Sequence, residues 1–214
     1  MTTDGPTAVI RQLREEELHA ASAVLARGMR DNPNHSAAFG DDPHRRVRSL
    51  QGMFNALFSV MQTQERICAV DGGNAGASVG HDRILGVAVM AAPGTCRPTV
   101  LQKARMASRM ATVGAGPLAR VITWQSAWRE HDPDQPHSHF GPLAVDAQLQ
   151  GRGIGSTLMR EYIRRLDTAG HIGYLETDRP ENVAFYERHG FTVTGRATVL
   201  NIPNWFLRRE PGHG

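Results

Sequence analysis

Cysteine is scarce in these 214 residues: Cys68 and Cys96 are too few for a disulfide framework and are not spaced as a metal-type pair. Both are expected to be free thiols, with Cys68 in the core between Ile67 and Ala69. No stretch reaches the ~20 apolar residues that a bilayer-spanning helix needs, and no basic cap with an apolar run stands at residues 1–6. These absences argue against a membrane partner or a secretion signal, and a cytoplasmic location is expected. A strong excess of one charge is also missing. The formal net charge is +3 and the arginines are scattered, so nothing points to nucleic acid. Internal repeats and low-complexity tracts are absent. With 40% hydrophobic and 21% charged residues, the chain reads as one globular domain over residues 1–214.

The most informative segment is Gln150-Gly151-Arg152-Gly153-Ile154-Gly155, which lies between an extended apolar stretch and an amphipathic helix. Glycines at alternate positions remove side chains that would block a ligand, while the helix start offers unpaired amides and the positive dipole end to phosphate. Two familiar phosphate loops are excluded by what is lacking. A nucleoside triphosphate loop needs a lysine before Ser156-Thr157. A dinucleotide loop needs a third glycine at a different spacing, near the start of the fold. A tight turn with no ligand is the alternative for the glycines, as an exposed loop position is for Arg152.

Periodicity predicts a strand over 8–13 and a helix over 15–29, ended by Asp31-Asn32-Pro33. A second helix is expected over 43–62, then strands over 66–71 and 84–92 joined by a loop containing Gly72-Gly73-Asn74-Ala75-Gly76. A helical insertion fills 93–136, with pieces over 100–110 and 118–128 separated by Gly114-Ala115-Gly116-Pro117. It would cap a substrate site or form a dimer surface. Residues 137–145 read as a strand that puts His137, His139, Gly141, Leu143 and Val145 on one face if no bulge intervenes, although Pro142 argues for a bulge or an unpaired edge. A helix runs from Ile154 to Gly170. A strand over 173–177, a helix over 181–189 closed by Gly190, and a strand pair over 191–200 and 204–209 complete the chain.

Leu143-Ala144-Val145, the Gln150–Gly155 loop, Leu175-Glu176-Thr177 and the run Asn182-Val183-Ala184-Phe185-Tyr186-Glu187-Arg188-His189-Gly190-Phe191 together resemble the GNAT superfamily of N-acetyltransferases, in particular its puromycin acetyltransferase-like branch. The resemblance is close over the C-terminal third and limited to element order before it. It implies an α/β (α+β) fold: a mixed, twisted sheet of six to seven strands with flanking helices, acetyl-CoA lying where the fourth and fifth strands part. Amides of Gly151, Arg152, Gly153, Ile154, Gly155 and Ser156 would hold its pyrophosphate, and Leu143, Ala144 and Val145 would pair with the pantetheine arm.

Acetyl transfer to an amine requires a proton acceptor for the ammonium, donors for the oxyanion and a proton for the leaving thiolate. The resemblance assigns the last task to Tyr186, whose phenol matches a thiolate in basicity; packing in the core is the alternative. Asn182, four residues earlier on the same helix face, would bond the coenzyme arm, although its spacing from Tyr186 is shorter than the family's usual one. A main-chain amide at Leu143 or Val145 would serve the oxyanion. For the base, His137 and His139 compete with Glu176. The two histidines, with His131 and Asp132 near them in sequence, lack a third ligand at a diagnostic interval, so no metal is expected. Asp31, Asn32 and His35 are candidates to meet the acceptor's ammonium.

Taken together, these features predict an acetyl-CoA-dependent N-acetyltransferase acting on a primary amine of a small molecule, as a monomer or homodimer. Two alternatives are a non-catalytic acyl-CoA-binding module and an enzyme acting on protein N-termini or lysines.

Overall fold

The computed structural model describes residues 8–72 and 83–212, so the expected loop over Gly73-Asn74-Ala75-Gly76 lies outside the described residues. In chain order the elements are β1 (Ala8–Gln12), α1 (Leu18–Gly28), α2 (Pro33–Phe39), α3 (Pro43–Val60), β2 (Glu65–Asp71), β3 (Ile84–Ala91), α4 (Val100–Arg109), α5 (Ala115–Arg129), β4 (His137–Val145), α6 (Ile154–Ala169), β5 (Ile172–Thr177), α7 (Pro180–Glu187), β6 (Thr192–Val199) and β7 (Ile202–Arg209). The strands form one seven-stranded sheet in the order β1-β2-β3-β4-β5-β7-β6. All neighbours are antiparallel except β4 and β5.

Two apolar cores sandwich this sheet. On one face Leu25, Leu50, Phe54 and Phe58 from α1 and α3 pack on Cys68, Val87 and Val89. On the other, Leu158, Met159, Tyr162 and Leu166 of α6 pack on Ile67, Leu85, Phe140 and Leu175. Burial on both faces explains why β3 is apolar throughout, whereas edge strand β6 alternates between exposed and covered positions. Side chains limit how closely the layers can approach, and Gly28 and Gly173 remove that limit. A Cβ on Gly28 would run into the Val145 carbonyl oxygen and stand 2.9 Å from the Ala144 Cβ; one on Gly173 would stand 2.6 Å from Leu166 Cδ1.

The β3–β4 register identifies the bulge that Pro142 suggested. Ala88 pairs with Leu143 and Met90 with Phe140, so β4 carries one extra residue between them. That residue inverts the alternation. Phe140, Leu143 and Val145 pack with the α6 core, while His139 faces the opposite layer, so the single face expected for His137 through Val145 is not formed.

Two helix boundaries also differ from expectation. Pro33 ends α1's path but also opens α2, because a proline at the first helical position lacks only an amide that would be unpaired anyway. Pro117 is tolerated in the first turn of α5 for the same reason, so Gly114, with φ of 94°, makes the break alone.

Gly28→Ala is expected to lower stability by about 1–3 kcal/mol through overpacking against β4, read as a shift in the denaturant midpoint at unchanged slope.

Candidate active site

β4 and β5 pair only at His137–Ile172, Ser138–Gly173 and His139–Tyr174. Beyond His139 the strands part: β5 stays with β7 through Thr177, and β4 stays with β3 through Val145. The main chain of β4 that faces the opening therefore has no strand partner among the described residues. At the mouth of this opening stands the glycine loop.

Gly151 and Gly153 have φ of 79° and 80°, with open space where their Cβ atoms would be. Gly153 is the N-cap of α6, so Ile154, Gly155 and Ser156 present the helix's first amides outward. These features make a cradle suited to a diphosphate. The Gln150 side chain is engaged elsewhere: its Nε2 donates to the Gly28 carbonyl at 3.0 Å and the Val145 carbonyl at 3.3 Å, tying the loop to α1 and β4. Asp146 helps through its 2.6 Å ion pair with Arg27. Arg152 is exposed, Ala144 is buried in the α1-side core, and Leu143 is half-buried on the cavity wall.

Behind the opening lies a cavity of about 760 Å³, walled by the segment that follows α1, by α2, α3, β4, β5 and α7, and roofed by α4 and α5. The insertion is thus a lid over the cavity. Apolar side chains such as Met53, Leu57, Met106, Val121 and Trp124 form much of the wall, while Asn32, His139, Glu176, Asn182 and Tyr186 supply polar groups. A buried polar knot fixes the lid. Trp128 Nε1 donates to Asn204 Oδ1 at 2.8 Å, Asn34 Nδ2 donates to the same oxygen at 2.7 Å, and the Asn34 amide donates to Asp178 Oδ2 at 2.7 Å. α5, α2, β7 and the end of β5 are joined at this point. Nothing in local sequence announces these pairings, whose partners lie far apart in the chain.

The candidate bases separate clearly. His139 Nε2 donates to Glu176 Oε2 at 2.8 Å, and both residues line the cavity. Burial by itself would lower the His139 pKa, but the Glu176 carboxylate, the Cys96 sulfur and Asp132 outweigh it and raise the group to about 10. The imidazole is therefore held as a cation near neutral pH. His137 is buried and does not line the cavity; its Nδ1 donates to the Gln135 carbonyl at 2.9 Å. Cys96, which carried no assignment from sequence, has its Sγ 3.9 Å from His137 Nε2. Hydrogen bonding from His137, then from His139, holds its thiol down at about 6.

The buried Tyr186 phenol lines the cavity, with its pKa raised first by burial and then by the charges of Asp178 and Glu176. Asn182 lies one turn earlier in α7, its Nδ2 donating to Thr177 Oγ1 at 3.3 Å. Of the three residues proposed to meet an ammonium, Asn32 and His35 reach the cavity. His35 belongs to α2, and burial lowers it to about 4. Asp31 is committed to Arg30 at 2.6 Å and Arg46 at 2.9 Å.

The described residues contain no helix long and apolar enough to cross a membrane. Residues 113–191 match the sequence model of the acetyltransferase (GNAT) family. Among solved structures, the chain is similar to a histone acetyltransferase HPA2 and related acetyltransferase from Corynebacterium glutamicum. Identity is 17% over 97% of this chain and 98% of that one, with a TM-score of 0.70. It is also similar to a phosphinothricin acetyltransferase from Sinorhizobium meliloti in complex with AcCoA (16% identity, 97% and 90% covered, TM-score 0.56). A third similar structure is the ribosomal-protein-S18-alanine N-acetyltransferase from Escherichia coli (14%, 97% and 97%, 0.54). The segment that carries the glycine loop, Glu176 and Tyr186 thus matches the acetyltransferase (GNAT) family model, and the chain is an acyltransferase on the GNAT fold.

Proposed function

We propose that this chain is an acetyl-CoA-dependent N-acetyltransferase whose acceptor is the primary amine of a small, largely apolar molecule. The roofed cavity carries this reading, because it encloses a polar cluster of Glu176, His139 and Tyr186 within apolar walls. An acceptor of that chemistry would bury its body against Met53, Leu57 and Trp124 and aim its nitrogen at Glu176. The loop, strand and helix motifs also support placement in the puromycin acetyltransferase-like branch. A protein terminus or lysine is disfavoured by the roof formed by α4 and α5.

The coenzyme supplies an activated acyl carbon and a leaving thiolate. Amides of Ile154, Gly155 and Ser156 hold its diphosphate, and the β4 edge at Leu143–Val145 that no strand pairs aligns its arm and offers amide donors to the oxyanion. Glu176 accepts the proton released by the amine, with His139 as the cationic partner that orients the carboxylate. As the C–N bond forms and the C–S bond breaks, Tyr186 delivers its proton to sulfur. A buried phenol raised above its ordinary pKa remains protonated until a strong base develops beside it.

Thiol release measured across apolar amines, polar amines and peptides is expected to favour the apolar amines; coenzyme binding without turnover on any acceptor would overturn the assignment. Tyr186→Phe is expected to lower kcat by roughly 10- to 10³-fold with coenzyme affinity retained. Glu176→Gln is expected to cost about 10²- to 10⁴-fold, shrinking as pH rises and the free amine supplies itself. Unchanged turnover in either variant would remove that residue from the proton path.

Gly153→Val should abolish coenzyme affinity in a calorimetric titration, because valine strongly disfavours φ near 80° and its side chain would enter the cradle. The His139–Glu176 pair also has a stability signature. Its histidine is raised from 6.5 to about 10, so the pair's contribution is complete below pH 6.5 and is lost progressively as pH climbs from there through about 10. The gap in melting temperature between the native chain and Glu176→Gln should therefore narrow over that window. A gap independent of pH would show that the pair is not charged.

A further inference from the structure

We propose that Cys96, His137 and His139 form a site for a zinc-class divalent cation at the neck of the α4–α5 lid. The insertion leaves the sheet after β3 and returns to it at β4, which are antiparallel neighbours with Ala91 paired to His139. Its two ends are therefore brought together, and Cys96 on the outgoing strand's exit meets the histidines on the returning strand. One donor atom from each of the three side chains lies within 4.8 Å of the others. The third ligand that short-range spacing failed to reveal is thus supplied across the length of the insertion.

The outer hydrogen bonds are already arranged as a metal centre requires. Metal-bound imidazoles characteristically donate their second ring N–H to a carbonyl or carboxylate, which sets the tautomer. His137 donates from Nδ1 to the Gln135 carbonyl at 2.9 Å, leaving Nε2 to present a lone pair, and Nε2 is the nitrogen that faces Cys96. His139 donates from Nε2 to Glu176 at 2.8 Å, so a metal ion that displaces the Nδ1 proton of the imidazolium would find its lone pair there while the outer hydrogen bond is kept.

The spacing also fits. Bonds of about 2.3 Å to sulfur and 2.0 Å to nitrogen at a tetrahedral angle put the two donors roughly 3.5 Å apart. The observed 3.9 Å between Cys96 Sγ and His137 Nε2 is close to that edge, so a contraction of a few tenths of an ångström closes it. One thiolate and two imidazoles suit Zn²⁺ or Co²⁺ and disfavour Mg²⁺ and Ca²⁺, which take oxygen. Cys96 and His139 line the cavity, so the fourth position opens toward it. A cation there would pin both ends of the lid to the sheet. This proposal does not depend on the identity of the acceptor or on catalysis.

The test uses the full chain stripped of metal by a chelator and titrated with Co²⁺ alone. One equivalent is expected to bind with a thiolate-to-cobalt charge-transfer band in the near ultraviolet, displaced by Zn²⁺. Cys96→Ser should remove the band and His137→Gln should weaken binding by at least about tenfold, while Cys68→Ser leaves both unchanged; Glu176→Gln should cost about 10- to 100-fold as an outer partner. In the native chain, with no substitution, Zn²⁺ should protect Cys96 from alkylation as read by peptide mass spectrometry. Absence of the band, its persistence in Cys96→Ser, or alkylation of Cys96 unchanged by Zn²⁺ would overturn the proposal.

Discussion

The parting of β4 and β5 after three residue pairs is the constraint on which the rest of the molecule depends. A sheet normally satisfies each strand's amides and carbonyls with its neighbours, and leaving them unpaired inside a protein is costly. Here each strand keeps one partner, β3 for β4 and β7 for β5, so the sheet stays continuous while a wedge opens between them. The extra residue at the β4 bulge re-aims the chain where the wedge begins. It sends His139 toward the cavity and Leu143 and Val145 toward α6. One inserted residue thus separates polar groups from the strand segment that would carry an extended ligand.

The wedge borders a cavity whose wall is completed by the α4–α5 insertion. Its attachment is polar where an apolar contact would have sufficed to bury area. Asn204 accepts from both Trp128 and Asn34, and Asp178 accepts from the Asn34 amide. Hydrogen bonds demand distance and angle, so this knot fixes the lid's position more sharply than apolar packing would. Asp178 pays for that role in protonation: burial raises its pKa while the Asn34 amide opposes the rise. The same carboxylate, close to Tyr186, helps keep the phenol protonated.

Local rules recovered the elements well wherever a single periodicity held. The continuous apolar run of β3, the stripe of α6 and the glycine stop at Gly170 are each legible because one neighbour relation repeats along the segment. α2 is hidden because Pro33 both stops and starts a helix. Pro142 signals the bulge in β4, but not which side chains it turns to which layer, because a bulge changes parity without changing composition. Within the candidate site, the glycine loop and Tyr186 stood out through motif and resemblance. His139 and Glu176 were named singly, but their contact joins strands 37 positions apart in the chain, which no spacing rule reports. Cys96 lay beyond reach for the same reason.

The electrostatics of the cavity follow from how these groups are grouped. A carboxylate buried alone would tend to take up a proton, and a histidine buried alone would lose one, as His35 does at about 4. His139 is partly buried, yet it moves in the opposite direction, to about 10, because Glu176, Cys96 and Asp132 surround it with negative charge. The contrast between these two histidines, both on the wall of one cavity, separates burial from charge pairing as causes. It also decides their chemistry. His35 offers a neutral ring edge against Trp124, 5.1 Å between centroids, whereas His139 is a fixed cation. A cation beside Glu176 keeps the carboxylate oriented and offsets its charge.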